Sequence, residues 1–228
     1  MNQSHELKTI GQNQQAQGGR KRGKRDAFDR LTNWLILFIF ILIILLLKDV
    51  VLNNVQTPRT SLERDIMDYT EVLRKDEKNA VAHAGLGVAY MNMGSFEPAA
   101  GEFAVAAKQD PKNPQYQYNL GVAYHKLGRN EAALKALKLA ATKGPRWEAP
   151  LFEMGKVYMD KKAYDKAITS FDNSLKLLPS NADAQFGLGR AYESKHKKQE
   201  AVSHYREALR YVPDYEQAAQ AIDRLEGR

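Results

Sequence analysis

The chain has 228 residues, no cysteine and a formal net charge of +7. The missing thiols exclude a disulfide framework and any zinc–thiolate site. The basic excess suggests a nucleic-acid partner until it is located: residues 1–33 hold seven Lys/Arg against three Asp/Glu, whereas 53–228 hold 26 against 23, so the larger part is nearly balanced and its global charge points to no polyanion.

Residues 1–30 carry no apolar periodicity, and their basic run Arg20–Arg25 reads as a disordered cytoplasmic tail. Trp34 to Leu47 then lack any polar side chain. With its flanks this run predicts a transmembrane signal anchor over 31–52, in contact with the lipid bilayer. The cationic flank precedes the run, so the expected topology is a single-pass membrane protein, N-terminus cytoplasmic and the remainder extracytoplasmic, in a bacterial cell membrane. A linker over 53–59 contains Pro58, and Thr60 with Glu63 predicts a capping box opening a helix within 60–79. That helix would turn Ile66, Tyr69, Val72 and Leu73 to one face.

From Ala80 a 34-residue pattern repeats without insertion: Leu86-Gly87, Tyr90, Gly94, Phe96, Ala99, Phe103, Ala106, Pro111 return as Leu120-Gly121, Tyr124, Gly128, Ala133, Leu137, Ala140, Pro145. Two further copies carry Met154-Gly155, Tyr158, Ala167, Phe171, Pro179 and Leu188-Gly189, Tyr192, Ala201, Tyr205, Pro213. Each copy reads as two helices. A glycine allows close approach in the first helix, Ala at spacings of four and three lines one face of the second, and a proline closes the unit. A helix pair cannot bury its apolar face alone, whereas stacked pairs can. Tyr69 and Val72 fall in the frame at the places of Phe103 and Ala106, making 60–79 half a repeat. Residues 216–228 predict a capping helix with Ala218, Ala221, Ile222 and Leu225 on one face.

This pattern resembles the tetratricopeptide repeat family over 80–214. The resemblance implies an all-α solenoid of four full repeats (80–113, 114–147, 148–181, 182–215), an N-terminal half repeat and a C-terminal cap, here preceded by the expected transmembrane helix. The sequence departs from the family at the early aromatic place (His83, Gln117, Leu151, Gln185) and at the turn of the fourth copy, where His196 stands for glycine and Lys198 for an aromatic. In the family the first helices line a peptide-binding groove. Carried onto this sequence, the groove residues are Tyr118, Asn119, Val122, His125, Phe152, Lys156, Phe186 and Arg190. Their order gives an aromatic row with a basic flank, suited to a segment with apolar side chains and an acidic group or C-terminal carboxylate near Lys156 and Arg190. The family's clamp for chaperone tails keeps only Asn119 of the places Ala84, Val88 and Asn119, so that ligand is not expected.

His125 faces the groove alone in this reading, His83 is a packed side chain, and Trp147 is a lid over neighbouring helices. No catalytic motif appears, and no enzyme activity, cofactor, metal site or nucleic-acid partner is expected. The functional expectation is an adaptor or scaffold holding a protein or peptide partner in cell-envelope assembly. Its alternatives are a cytosol-facing receptor or co-chaperone at a membrane, or a self-assembling scaffold.

Overall fold

The computed structural model describes residues 34–45, 47–48 and 60–227. The chain divides into two units, 1–58 and 59–228. In the first unit the described helical residues, α1, are 34–45 and 47–48. Among the described residues no helix is long and apolar enough to cross a membrane. The expected transmembrane anchor over 31–52, and with it the single-pass topology and membrane localisation, is therefore corrected: a span needs about 20 apolar helical residues, and no described helix supplies them. The expected tail 1–30 and linker 53–59 lie outside the described residues.

The second unit is all-α. Its helices are α2 (Ser61–Lys75), α3 (Ala80–Asn92), α4 (Phe96–Gln109), α5 (Pro114–Lys126), α6 (Asn130–Lys143), α7 (Ala149–Asp160), α8 (Tyr164–Leu177), α9 (Ala182–Ser194), α10 (Lys198–Tyr211) and α11 (Glu216–Glu226). The second helices α4, α6, α8 and α10 keep the 34-residue step at both ends. Each helix packs on the next in order, and α7 also touches α5 and α9. These first helices are thus neighbours of one another and form the inner layer of the curved stack.

The glycine of each first helix is where the paired second helix comes closest. A Cβ on Gly87, Gly121, Gly155 or Gly189 would stand 2.7, 2.6, 2.4 or 2.5 Å from Phe103, Leu137, Phe171 or Tyr205 of the same repeat. Those four side chains are at most 1 % exposed, so a methyl there would displace a locked ring or branch. The flanking Ala99, Ala106, Ala133, Ala140, Ala167, Ala201 and Ala208 are fully buried.

The turns repeat as well. Helices α3, α5, α7 and α9 end in a left-handed residue at Gly94 (φ 74°), Gly128 (φ 71°), Lys162 (φ 55°) and His196 (φ 60°). The following amide donates back to the carbonyl of Tyr90, Tyr124, Tyr158 or Tyr192 at 2.9–3.0 Å, the six-to-one bond that closes a helix C-terminus. The fourth turn, which the sequence makes irregular, therefore keeps the common geometry, with His196 carrying a conformation that costs a side-chain-bearing residue about 1 kcal/mol or more.

At the N-terminal end Thr60 and Glu63 form the expected capping box: the Glu63 amide donates to Thr60 Oγ1 at 3.1 Å and the Thr60 amide to Glu63 Oε2 at 3.2 Å. Tyr69 reaches α3, where a Cβ on Gly85 would stand 2.3 Å from its ring. Val72, expected on the packed face, is 41 % exposed, because among the described residues no first helix of its own half repeat covers it. At the other end α11 buries Ala218, Ala221 and Ile222 against Ala201, Val202, Tyr205 and Ala208.

Candidate functional site: a charged aromatic cavity on the inner layer

Five of the eight sequence-assigned groove residues meet in one place. His125, Phe152, Lys156, Phe186 and Arg190 line a cavity of about 460 Å³, together with Lys126, Met159, Asp160, Phe171, Asp183 and Gly187. It draws on α5, α7, α8 and α9, so only the stacking of three repeats creates it. Phe152 packs on Phe171 with ring centroids 5.8 Å apart, and Phe186 packs on Tyr205 and Tyr215 at 5.3 and 5.1 Å. The aromatic row thus serves partly as packing between repeats and partly as cavity wall.

The remaining three residues lie elsewhere. Tyr118 faces Trp147 at 4.8 Å. Asn119 accepts from the Gln115 side-chain amide at 3.1 Å, and Val122 is half-buried on α5. The pairing with Trp147 has a cost readable in the repeat frame. Asn79, Asn113 and Asn181 cap α3, α5 and α9 through their side chains. Trp147 occupies the corresponding place, and α7 begins without a side-chain cap. Loss of such a cap costs about 1 kcal/mol.

His125 is not alone, contrary to the sequence reading. Its Nδ1 lies 2.7 Å from Glu153 Oε1 and its Nε2 2.8 Å from Asp160 Oδ2. Glu153 Oε2 accepts from Lys156 Nζ at 2.8 Å. The glutamate side chain is 5 % exposed and the histidine 10 %. The bond to Glu153 is the main cause that raises the His125 pKa; burial opposes it, and Asp160 adds to the rise. For Glu153, burial pushes the pKa up, and the bonds from His125 and Lys156 outweigh it, leaving the carboxyl below its ordinary value. Both ring nitrogens face carboxylates, so the imidazolium form donates in both directions. Glu153 and Asp160 are functional candidates that sequence reasoning missed. One signal was available: Gly85, Asn119, Glu153 and Gly187 share a place in the 34-residue frame, and a glutamate there needs cationic company.

The network changes the charge reading of the groove. Lys156, assigned as a basic flank, spends its charge on Glu153 and lies 5.7 Å from the Phe152 ring centre. Arg190 is exposed, and among the described residues it makes no ion pair or hydrogen bond. His83, expected as a packed side chain, is also ion-paired, 2.7 Å from Glu102. Burial pulls its pKa down, and the bonds to Glu102 and to the Glu77 carbonyl outweigh burial, leaving it raised. Among the described residues no group of three or more His, Asp or Glu is placed to hold a metal.

A second cavity of about 800 Å³ adjoins the first, lined by Glu193, His196, Lys198, Gln217, Gln220 and Arg224 among others. Phe186 and Arg190 line both. Glu193 is held there by Arg224 at 2.6 Å and by the Tyr205 hydroxyl at 2.7 Å.

Comparison with known proteins agrees with this architecture. Tetratricopeptide repeat families match residues 84–146, 155–195 and 182–215. The chain matches no curated protein sequence. Among solved structures, a crystal structure of MamA is similar at 27 % identity over 67 % of this chain and 83 % of that one, with a TM-score of 0.60. YrrB, described as a TPR protein with an unusual peptide-binding site, aligns at 26 % identity over 70 % of this chain and 82 % of its own, with a TM-score of 0.61. A TPR protein from Thermus thermophilus shares the fold at 22 % identity, covering 72 % of this chain and 89 % of that one, with a TM-score of 0.60. With its 34-residue frame, its paired helices and these matches, the chain is a member of the tetratricopeptide repeat family.

Proposed function

We propose that this protein is a non-enzymatic scaffold that holds a partner protein by an extended segment laid along the inner layer of its helices. The observation that carries this reading is the cavity shared by α5, α7, α8 and α9, where apolar rings and charged side chains converge on a concave face. Such a site suits a segment that presents side chains at intervals, its backbone remaining extended. The similarity to YrrB, whose description names a peptide-binding site, supports the same mode. The His125–Glu153–Lys156 group, closed on its own partners, serves in this reading to fix the stacking of the second repeat on the third.

The test is site-specific photo-crosslinking in the full chain. A photoreactive residue at Met159 in the cavity is compared with one at Leu139, which is 42 % exposed on the second helix α6. Partner adducts are expected from position 159 and not from 139. Adducts confined to 139 would move the binding surface to the outer layer and overturn the proposal.

A further inference from the structure

Charge pairing inside the groove is uneven, and that unevenness identifies what the bound segment must carry. Around the smaller cavity, His125 and Lys156 are matched by Glu153 and Asp160. Asp183 accepts from the Tyr215 hydroxyl at 2.7 Å. In the larger cavity Arg224 is matched by Glu193. Lys126, Arg190 and Lys198 remain, none with an ion pair or hydrogen bond among the described residues. Three unmatched cations against Asp183 make the stretch centred on Arg190 attractive to an anion.

We propose that Arg190 pairs with an acidic side chain in the interior of the bound segment, with an apolar side chain next to it in the cavity walled by Phe152, Phe171 and Phe186. The inference rests on the groove reading above and names its ligand chemistry. Two observations fix the arrangement. Arg190 and Phe186 line both cavities and so stand on the divide between them. A segment crossing that divide has chain on both sides of the arginine, so the carboxylate belongs to an Asp or Glu side chain and not to a chain terminus. On one side lies the cavity walled by Phe152, Phe171 and Phe186. The larger cavity on the other side mixes Tyr205 and Leu225 with Glu193, His196, Gln217 and Gln220, so it sets no single polarity on the residue it receives. A guanidinium takes a carboxylate through two parallel N–H donors, fixing register as well as adding affinity.

The experiment retains blocked peptide libraries (N-acetylated and C-amidated, central position fixed as Glu, Gln or Lys) on the immobilised full chain, with a fourth library that has a free C-terminal acid and a central Gln. The central-Glu library is expected to be retained about tenfold more than central-Gln, the size of a charge-assisted hydrogen bond. Arg190→Glu should reverse that choice in favour of Lys. Lys156→Met should leave it intact, because that charge is already spent on Glu153. Both substituted side chains are exposed; unchanged helical circular dichroism verifies the fold. Retention without preference for a central acid, or preference only for the free terminal acid, would overturn this inference and leave the groove reading standing. No retention of any library would overturn both.

Discussion

The two ends of the solenoid solve the same packing problem unequally. Tyr69 of α2 and Tyr205 of α10 hold the same place in the 34-residue frame. Tyr205 is fully buried, pressed on Gly189 of its own repeat and covered by α11, its hydroxyl bonded to Glu193. Tyr69 touches Gly85 of the next repeat, and α2 buries no residue completely. A ring held from two sides is immobile, whereas a ring held from one side can swing. The difference teaches that repeat position sets which residue is used, while the neighbours on both sides set what it is worth.

Six substitutions break or sharpen this contrast. The largest effect is expected from emptying a doubly held site: Phe171→Ala, between Gly155 and Gly187, should cost about 3–5 kcal/mol, against about 1 kcal/mol for Tyr69→Ala at the open end. Chemical denaturation followed by circular dichroism measures both, and equal costs would erase the asymmetry. Next, Gly189→Ala drives a methyl into the locked Tyr205 ring and should cost about 2 kcal/mol. Gly85→Ala meets only the tip of the movable Tyr69 ring and should change stability by about 0.5 kcal/mol or less, the helix propensity of Ala offsetting the crowding. A smaller effect of opposite sign is expected at the turns. His196→Gly relieves a left-handed residue and should raise stability by about 1 kcal/mol, while Gly128→Ala at the matching place should lower it by about as much.

The last prediction concerns pH. The His125 pKa is raised in the folded protein, so its contribution is complete below the unfolded value of about 6.5 and is lost as pH rises through the folded value. Burial lowers the His204 pKa, and its contribution runs the other way, present above the unfolded value and lost as pH falls. The stability difference between wild type and His125→Gln, measured across this range, isolates the first: it should shrink with rising pH. A pH-independent difference would show that the ring is held neutral.

Much of the fold was legible because helical pairs in register repeat their chemistry: glycine facing a ring, alanines flanking it, a left-handed turn, a closing proline. The candidate site was legible only in part. First-helix places named His125, Phe152, Lys156, Phe186 and Arg190 as inward-facing, and they do share a cavity. Tyr118, Asn119 and Val122, on the same face by periodicity, do not line it, since Trp147 claims Tyr118 and Gln115 claims Asn119. Glu153 and Asp160 stayed hidden as partners of His125 because they lie on α7, beyond the whole of α6, 28 and 35 residues distant in sequence. The apolar run at 34–47 shows the opposite error, composition taken for length.

The sequence by itself determined the repeat period, the helix pairs and the residues that turn inward, because those follow from local periodicity and from the steric demands of glycine, alanine and proline. Only the tertiary structure decided that the inward His125 is already spent, on carboxylates of another helix. A charge is neutralised by a partner about 3 Å away in space, and spacing along one helix does not say what the next helix brings to meet it. Lys156 and Arg190, equal in the repeat frame, differ already along their own helices: Glu153 stands three residues before Lys156 and pairs with it, whereas Gly187 stands three before Arg190, which lies open between two cavities.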